Sequence, residues 1–140
     1  MTERILIDTG PMVALFSEDD HHYQRCTDAL TALNPPLFTC WPVVTEAAWL
    51  LRKRPKSLHQ LFGSFDSGLF AFLALDAADL PAVAALMQRY EDISLQFADA
   101  ALAHLAEREN IRTVFTTDRR DCSIIRLKRK RTLRLIPDIP

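Results

Sequence analysis

Short apolar runs alternating with stretches of helical periodicity constrain this chain more than any other feature. Arg4–Asp8 (RILID), Leu37–Cys40, Leu69–Leu75, Thr113–Thr117 (TVFTT) and Leu133–Ile136 read as strands. Between them, apolar residues recur every three or four positions. Tyr23, Cys26, Ala29, Leu30 and Leu33 do so within a helix over Asp20–Leu33, which Asn34-Pro35-Pro36 ends. Trp41–Lys53 is helical with Pro42 near its first turn, Ser57–Asp66 forms a shorter helix, and Ala77–Tyr90 is a helix with Pro81 in its first turns. Ser94 is the expected N-cap of an alanine-rich helix reaching Arg108, closed by Glu109-Asn110. After a Thr9-Gly10-Pro11 turn, Pro11 can open a helix whose apolar side is Met12–Phe16. Strands alternating with helices imply βα units, and uninterrupted apolar strands are those buried on both faces. The expected fold class is therefore α/β: a single-domain α/β/α sandwich with a four- or five-stranded, mainly parallel sheet.

Composition narrows the class. At 140 residues, one domain over 1–140 is expected, able to bury roughly two-thirds of its unfolded surface. An apolar fraction of 49% with 25% charged residues argues against disorder. No apolar run approaches the ~18 residues of a membrane span. MTERILIDTG lacks a basic region followed by a long apolar stretch, so no secretory signal is expected. Cys26, Cys40 and Cys122 are odd in number and widely spaced, which excludes a disulfide scaffold and points to the reducing cytoplasm. The net charge of −1 conceals a segregation: of 17 basic residues, four lie in Arg52–Lys56 and eight between Arg119 and Arg134. Such patches are compatible with a polyanion whose affinity falls with salt, and equally with solvated surface.

Acids in apolar surroundings carry the chemistry, because burying an unpaired carboxylate is costly. Asp8 follows Ile5-Leu6-Ile7 and Asp118 follows Val114-Phe115-Thr116-Thr117, so both fall at the carboxyl ends of strands, where open α/β sheets bind ligands. Glu46 shares the apolar face of Val43 and Leu50, and Asp99 lies among Phe97, Ala98, Ala100, Ala101 and Leu102. Taken singly, Asp8 reads as a turn former, Asp118 as a loop cap, and Glu46 and Asp99 as partners of arginines. Taken together, four converging carboxylates suit Mg²⁺ or Mn²⁺, which neutralises their repulsion and can activate water against a phosphodiester.

Ile5-Leu6-Ile7-Asp8-Thr9-Gly10, then Glu46, then Phe97-Ala98-Asp99-Ala100-Ala101-Leu102, then Thr116-Thr117-Asp118-Arg119-Arg120-Asp121 resembles the PIN-domain nucleases. In order, spacing and length it is similar to the VapC-type toxins of bacterial toxin–antitoxin pairs, across almost the whole chain. The motifs are weak singly and strong jointly. The resemblance implies a divalent-metal-dependent endoribonuclease with an acidic pocket at the carboxyl edge of a parallel sheet. Asp8, Glu46, Asp99 and Asp118 match the four acidic positions. Asp8, Asp99 and Asp118 would be the metal ligands, with Asp118 direct or through water, and Glu46 would orient the attacking water or complete the outer shell. Thr9 and Thr117 would donate hydrogen bonds at the rim, and Asp121 is an additional acid nearby. Cys122 departs from the aromatic or bulky apolar residue expected there. The resemblance further implies an RNA substrate, a homodimer and a small antitoxin that blocks the pocket. A housekeeping RNA-processing nuclease, or a binding module that kept the acids, would share every residue named.

Other classes fit less well. Asp8-Thr9-Gly10 also matches the aspartic-protease signature, but that class needs an all-β barrel, and three glycines amid several helices do not make one. A phosphatase using two strand-end aspartates is disfavoured by Gly10, two residues after Asp8. His21 and His22 begin a helix in solvent, while His59 and His104 lack a partner at metal-ligand spacing. The cysteines show no zinc spacing. Trp41, Trp49 and the eight phenylalanines read as core or interface rather than base-stacking platforms. Arg119 and Arg120, next to Asp118, are good phosphate contacts, and Arg126–Arg134 extends an RNA track or meets the acidic part of an antitoxin. Charge reversal at Arg119 and Arg120 should weaken RNA binding and flatten its salt dependence; an unchanged slope would contradict that role.

Overall fold

A computed structural model describes residues 3–118, 123, 125 and 132–137. Five strands form one sheet: β1 (Ile5–Ile7), β2 (Leu37–Thr39), β3 (Phe70–Phe72), β4 (Thr113–Phe115) and β5 (Arg134–Ile136). Their order is β3-β2-β1-β4-β5, and every neighbouring pair is parallel. The sheet is thus five-stranded and wholly parallel. Ile5, Leu6 and Ile7 are buried throughout, as are Val114 and Phe115, which agrees with a sheet covered on both faces.

Among the described residues six helices flank it: α1 (Thr9–Ala14), α2 (Tyr23–Thr31), α3 (Trp41–Leu50), α4 (Pro55–Asp66), α5 (Leu80–Arg89) and α6 (Phe97–Arg108). α1 packs on α2 and α3, and α6 packs on α3 and α5. The alanines of α6 (Ala98, Ala100, Ala101, Ala103, Ala106) are all buried, so small side chains let this helix sit deep in the core.

Four local features differ from expectation. Ser94 does not cap α6: it adopts the left-handed conformation (φ 54°) that ends a short 3₁₀ turn over Glu91–Ile93, and Gln96 is the N-cap. The Ala77–Tyr90 helix is divided, because Asp76 and Asp79 form a capping box around a 3₁₀ turn at Ala77–Asp79 before α5 begins. Thr9-Gly10-Pro11 is the opening turn of α1 rather than a separate turn, with Asp8 as its N-cap. α2 starts only at Tyr23, since Asp20 turns the chain by accepting the His22 amide at 2.8 Å. At the other end of α6, Asn110 takes a positive φ of 55° and the Ile111 amide bonds back to Ala106, a left-handed stop that asparagine tolerates.

Candidate functional site

The sheet order sets where a ligand can enter. From β1 the chain moves outward one way to β2 and β3, while β4 and β5 lie on the other side. The crevice beyond the carboxyl ends of β1 and β4 is the topological switch point at which open parallel sheets bind ligands. Asp8 ends β1 there, and the Thr116–Asp118 segment ends β4.

Asp8 is 4% exposed and both its oxygens are engaged. Oδ1 accepts the Thr9 amide at 2.7 Å, and Oδ2 accepts the Thr116 hydroxyl at 2.9 Å. The same Thr116 oxygen accepts the Asp118 amide at 3.0 Å, so one hydroxyl ties the two strand ends together. The Asp8 amide extends the ladder onto the Phe115 carbonyl. Thr116 escaped the sequence reading, which singled out Thr117. A threonine in a β-branched strand has an ordinary structural explanation, and only its 0.01-fraction exposure beside a buried carboxylate reveals the role.

A cavity of about 280 Å³ opens over this point, and Asp8, Glu46, Asp99 and Asp118 all line it, together with Thr9 and Thr117. Glu46 comes from the middle of α3 and Asp99 from the first turn of α6. Four elements distant in sequence therefore deliver the four acids that the spacing singled out to one mouth. Ser94, Gln96 and Leu50, which sequence reasoning did not select, complete the rim. Among the described residues, no lysine or arginine lines it.

The electrostatics follow. Burial pushes the Asp8 carboxyl up, and the charge of Asp118 pushes in the same direction. Glu46 is raised by burial and then by Asp8. Asp99 is pushed up to about 7, by burial first and then by Asp8, with Asp118 and Glu46 adding to it. The Gln96 amide, which donates to Asp99, offsets part of this. The arginine partners considered for Glu46 and Asp99 are not what governs them; desolvation and like charge are. Cys40, at the base of α3, is a buried thiol raised to about 11 by burial and by Asp8, which makes it a poor nucleophile.

The threonines have distinct parts. Thr9 Oγ1 is buried and makes no hydrogen bond among the described residues. Thr117 Oγ1 lies against Gly10 so closely that a methyl group on Gly10 would collide with it. This close approach, rather than a turn conformation, explains the glycine after Asp8-Thr9.

Among the described residues, no three His, Cys, Asp or Glu side chains close into a ready-made metal cage. The donor set nonetheless fits a hard divalent cation. It is all oxygen, fourfold acidic and mutually repelling, and Mg²⁺ is usually held by one or two carboxylates plus water and phosphate rather than by a closed cage.

Other sequence-singled residues lie elsewhere. Arg119, Arg120, Asp121, Cys122 and residues 126–131 are outside the described residues. Arg134 pairs with Glu3 at 3.4 Å. Arg54 of the first basic cluster makes a bidentate pair with Asp19 at 2.6 and 2.7 Å. His104 finds a partner that its spacing did not suggest, Asp79 at 2.8 Å, away from the acids. Trp41 and Trp49 are not core: they are 61% and 63% exposed. A larger concavity, about 890 Å³ between the end of α1 and α4, contains none of the four acids and is not the centre of this chemistry.

The family model described as the PIN domain matches residues 5–130. This chain is a PIN domain. In sequence it is similar to ribonuclease VapC26 of Mycobacterium tuberculosis, 27% identical over 128 residues, covering 87% of this chain and 92% of that protein. The PIN fold is equally evident among solved structures. Mycobacterium tuberculosis VapC20, a Sarcin-Ricin loop cleaving toxin, superposes with a TM-score of 0.76 at 17% identity, over 83% of this chain and 91% of that one. A toxin–antitoxin complex from Klebsiella pneumoniae gives 0.67 at 18% identity, over 88% and 92%. The PIN-like α/β class expected from the sequence is thereby established.

Proposed function

We propose that this PIN domain, spanning residues 1–140, is a Mg²⁺- or Mn²⁺-dependent endoribonuclease and the toxin of a toxin–antitoxin pair. The observation that carries the reading is the convergence of buried Asp8 with Glu46, Asp99 and Asp118 on one cavity at the switch point of the sheet. The likeness to a VapC ribonuclease supports RNA as the substrate. The likeness to a chain from a toxin–antitoxin complex supports a cognate antitoxin as partner.

Asp8, Asp99 and Asp118 would hold the cation. When bound, it supplies charge neutralisation for the phosphodiester and lowers the pKa of water. The protein's own groups do the rest. Thr116 orients the Asp8 carboxylate by donating to Oδ2, as the Thr9 amide does by donating to Oδ1. Glu46, half-buried and with raised proton affinity, orients the attacking water and accepts its proton as the oxygen adds to phosphorus. The leaving sugar oxygen takes a proton from solvent, so one water is consumed for each bond cut. The Thr117 hydroxyl is the donor for phosphate oxygens, whereas the Thr9 hydroxyl is buried and has no hydrogen bond among the described residues. Arg119 and Arg120 hold flanking phosphates.

A homodimer is supported by a second, apolar cavity of about 280 Å³ rimmed by exposed Trp41, Leu80 and Phe97, with Trp41 stacked on Phe72 at 4.2 Å. Among the described residues no helix is long and apolar enough to cross a membrane. With Cys26 and Cys40 buried and free of disulfides, the proposed setting is the cytoplasm.

The reaction is tested with a mixed RNA pool in Mn²⁺ and ¹⁸O-labelled water. Attack by external water yields linear phosphate ends carrying one ¹⁸O. Cyclic phosphate ends, or cleavage that survives EDTA, would refute it.

A further inference from the structure

The carboxyl end of α3 carries an arrangement that the acidic centre does not use. Trp49 is 63% exposed, an unusual cost for the largest apolar side chain. Arg52 Nη1 donates to the Trp49 carbonyl at 2.8 Å, and this bond holds the guanidinium over the indole, 3.8 Å from the ring centroid. With one face covered and most of the residue still exposed, the other face is turned to solvent. Glu46 is one helical turn earlier, about 5–6 Å away between Cβ atoms for such a spacing. Leu50, the next residue, itself lines the acidic cavity. Exposed Lys53 and Lys56 follow.

This end of α3 differs from the other. Trp41 stacks on Phe72, which in turn stacks on Phe65 at 4.5 Å, in apolar company suited to a protein contact. Trp49 instead bears a cation and is followed in the chain by two exposed lysines. Protein interfaces are depleted in lysine, whereas aromatic faces backed by basic side chains are how single-stranded nucleic acid is held.

We propose that Trp49 is a stacking platform for a base of the substrate strand next to the scissile phosphate, with Arg52 stiffening the ring and meeting the adjoining phosphate. The inference rests on the RNA-cleaving reading and adds to it a residue that selects for unstacked, single-stranded RNA.

The test uses the whole protein and a mixed-sequence single-stranded RNA dodecamer, with binding measured in EDTA and cleavage in Mn²⁺. Trp49→Ala and Trp49→Leu should each weaken binding roughly tenfold, while Trp49→Phe retains most of it. Arg52→Gln should lower the slope of log affinity against log salt by about 0.7, as loss of one phosphate contact does on a single strand. In a Trp41→Phe background Trp49 is the sole tryptophan. Its emission should be quenched by the dodecamer and not by an abasic strand of equal length. Wild-type affinity in Trp49→Leu, or equal quenching by the abasic strand, overturns the proposal. So does a Trp49→Ala protein that falls from dimer to monomer with RNA binding intact, which would assign the ring to a protein contact. If wild type binds and cleaves RNA while the variants match it, the platform falls and the nuclease stands. If wild type does neither, both fall.

Discussion

Asp99→Asn exchanges a carboxylate for a neutral group of the same shape, at the position where three other acids and burial weigh most heavily. In the folded protein this carboxyl keeps its proton up to about pH 7, against 3.8 for its ordinary value. Between those values the folded chain binds more protons than the unfolded chain, so wild-type stability falls as pH rises through the window. The penalty is complete above about pH 7 and absent below about pH 4. At about 1.4 kcal/mol per pH unit, the full displacement corresponds to roughly 4 kcal/mol. Repulsion shared with Asp8 and Glu46, together with partial solvation of a half-exposed group, reduces the recoverable part to about 2 kcal/mol. The asparagine carbonyl can still accept the Gln96 amide, so the start of α6 is kept. Asp99→Asn should therefore unfold at a temperature roughly 5–10 °C higher than wild type at pH 8, with the gain vanishing near pH 4, while RNA cleavage is lost. Thermal unfolding followed by circular dichroism across pH 4–8 reads this directly. Mn²⁺ should stabilise wild type and leave the variant little changed, because a cation relieves the same repulsion. A variant less stable than wild type at pH 8, or a difference that does not vary with pH, would refute the reasoning.

Thr116→Val keeps the β-branched shape and deletes the hydroxyl joining Asp8 to the Asp118 amide. Cleavage should drop about 10- to 100-fold with the fold retained, as seen when groups that orient metal ligands are removed; initial rates and a circular dichroism spectrum check it. Gly10→Ala forces the Thr117 side chain aside and should cost about 1–3 kcal/mol in denaturant unfolding, together with most of the activity. Thr9→Val removes a buried hydroxyl that has no hydrogen bond among the described residues. Stability should hold or rise slightly in denaturant unfolding, with the initial rate of RNA cleavage unchanged; a clear loss of stability would contradict it.

The fold and the acids were legible for the same physical reason. Ile5–Ile7 and Val114–Phe115 are apolar at every position because both faces of a parallel sheet are covered, and an acid directly after such a run can only stand at the strand's carboxyl end. What escaped notice depended on local conformations that residue type does not fix. Ser94 is a strong N-cap by composition, yet a left-handed backbone at that position moves the start of α6 to Phe97. Asp76 and Asp79 bond each other's backbone and so interrupt a helix whose apolar period runs on. Trp41 and Trp49 match the size of core residues but project from the outer face of α3, since that helix buries Val43, Val44 and Ala47 instead. The His104–Asp79 pair spans 25 residues and exists only because α6 packs beside α5.

The acidic cavity as a metal-dependent nuclease centre is tested most directly by incubating purified, partner-free protein with a mixed RNA pool in Mg²⁺, Mn²⁺ or EDTA, alongside a folded Asp8→Asn/Asp99→Asn variant. Cleavage in either metal, abolished by EDTA and by the double substitution, is the expected result. Cleavage that persists in the folded double variant, or metal-loaded wild type that binds RNA tightly without cutting it, would contradict the account.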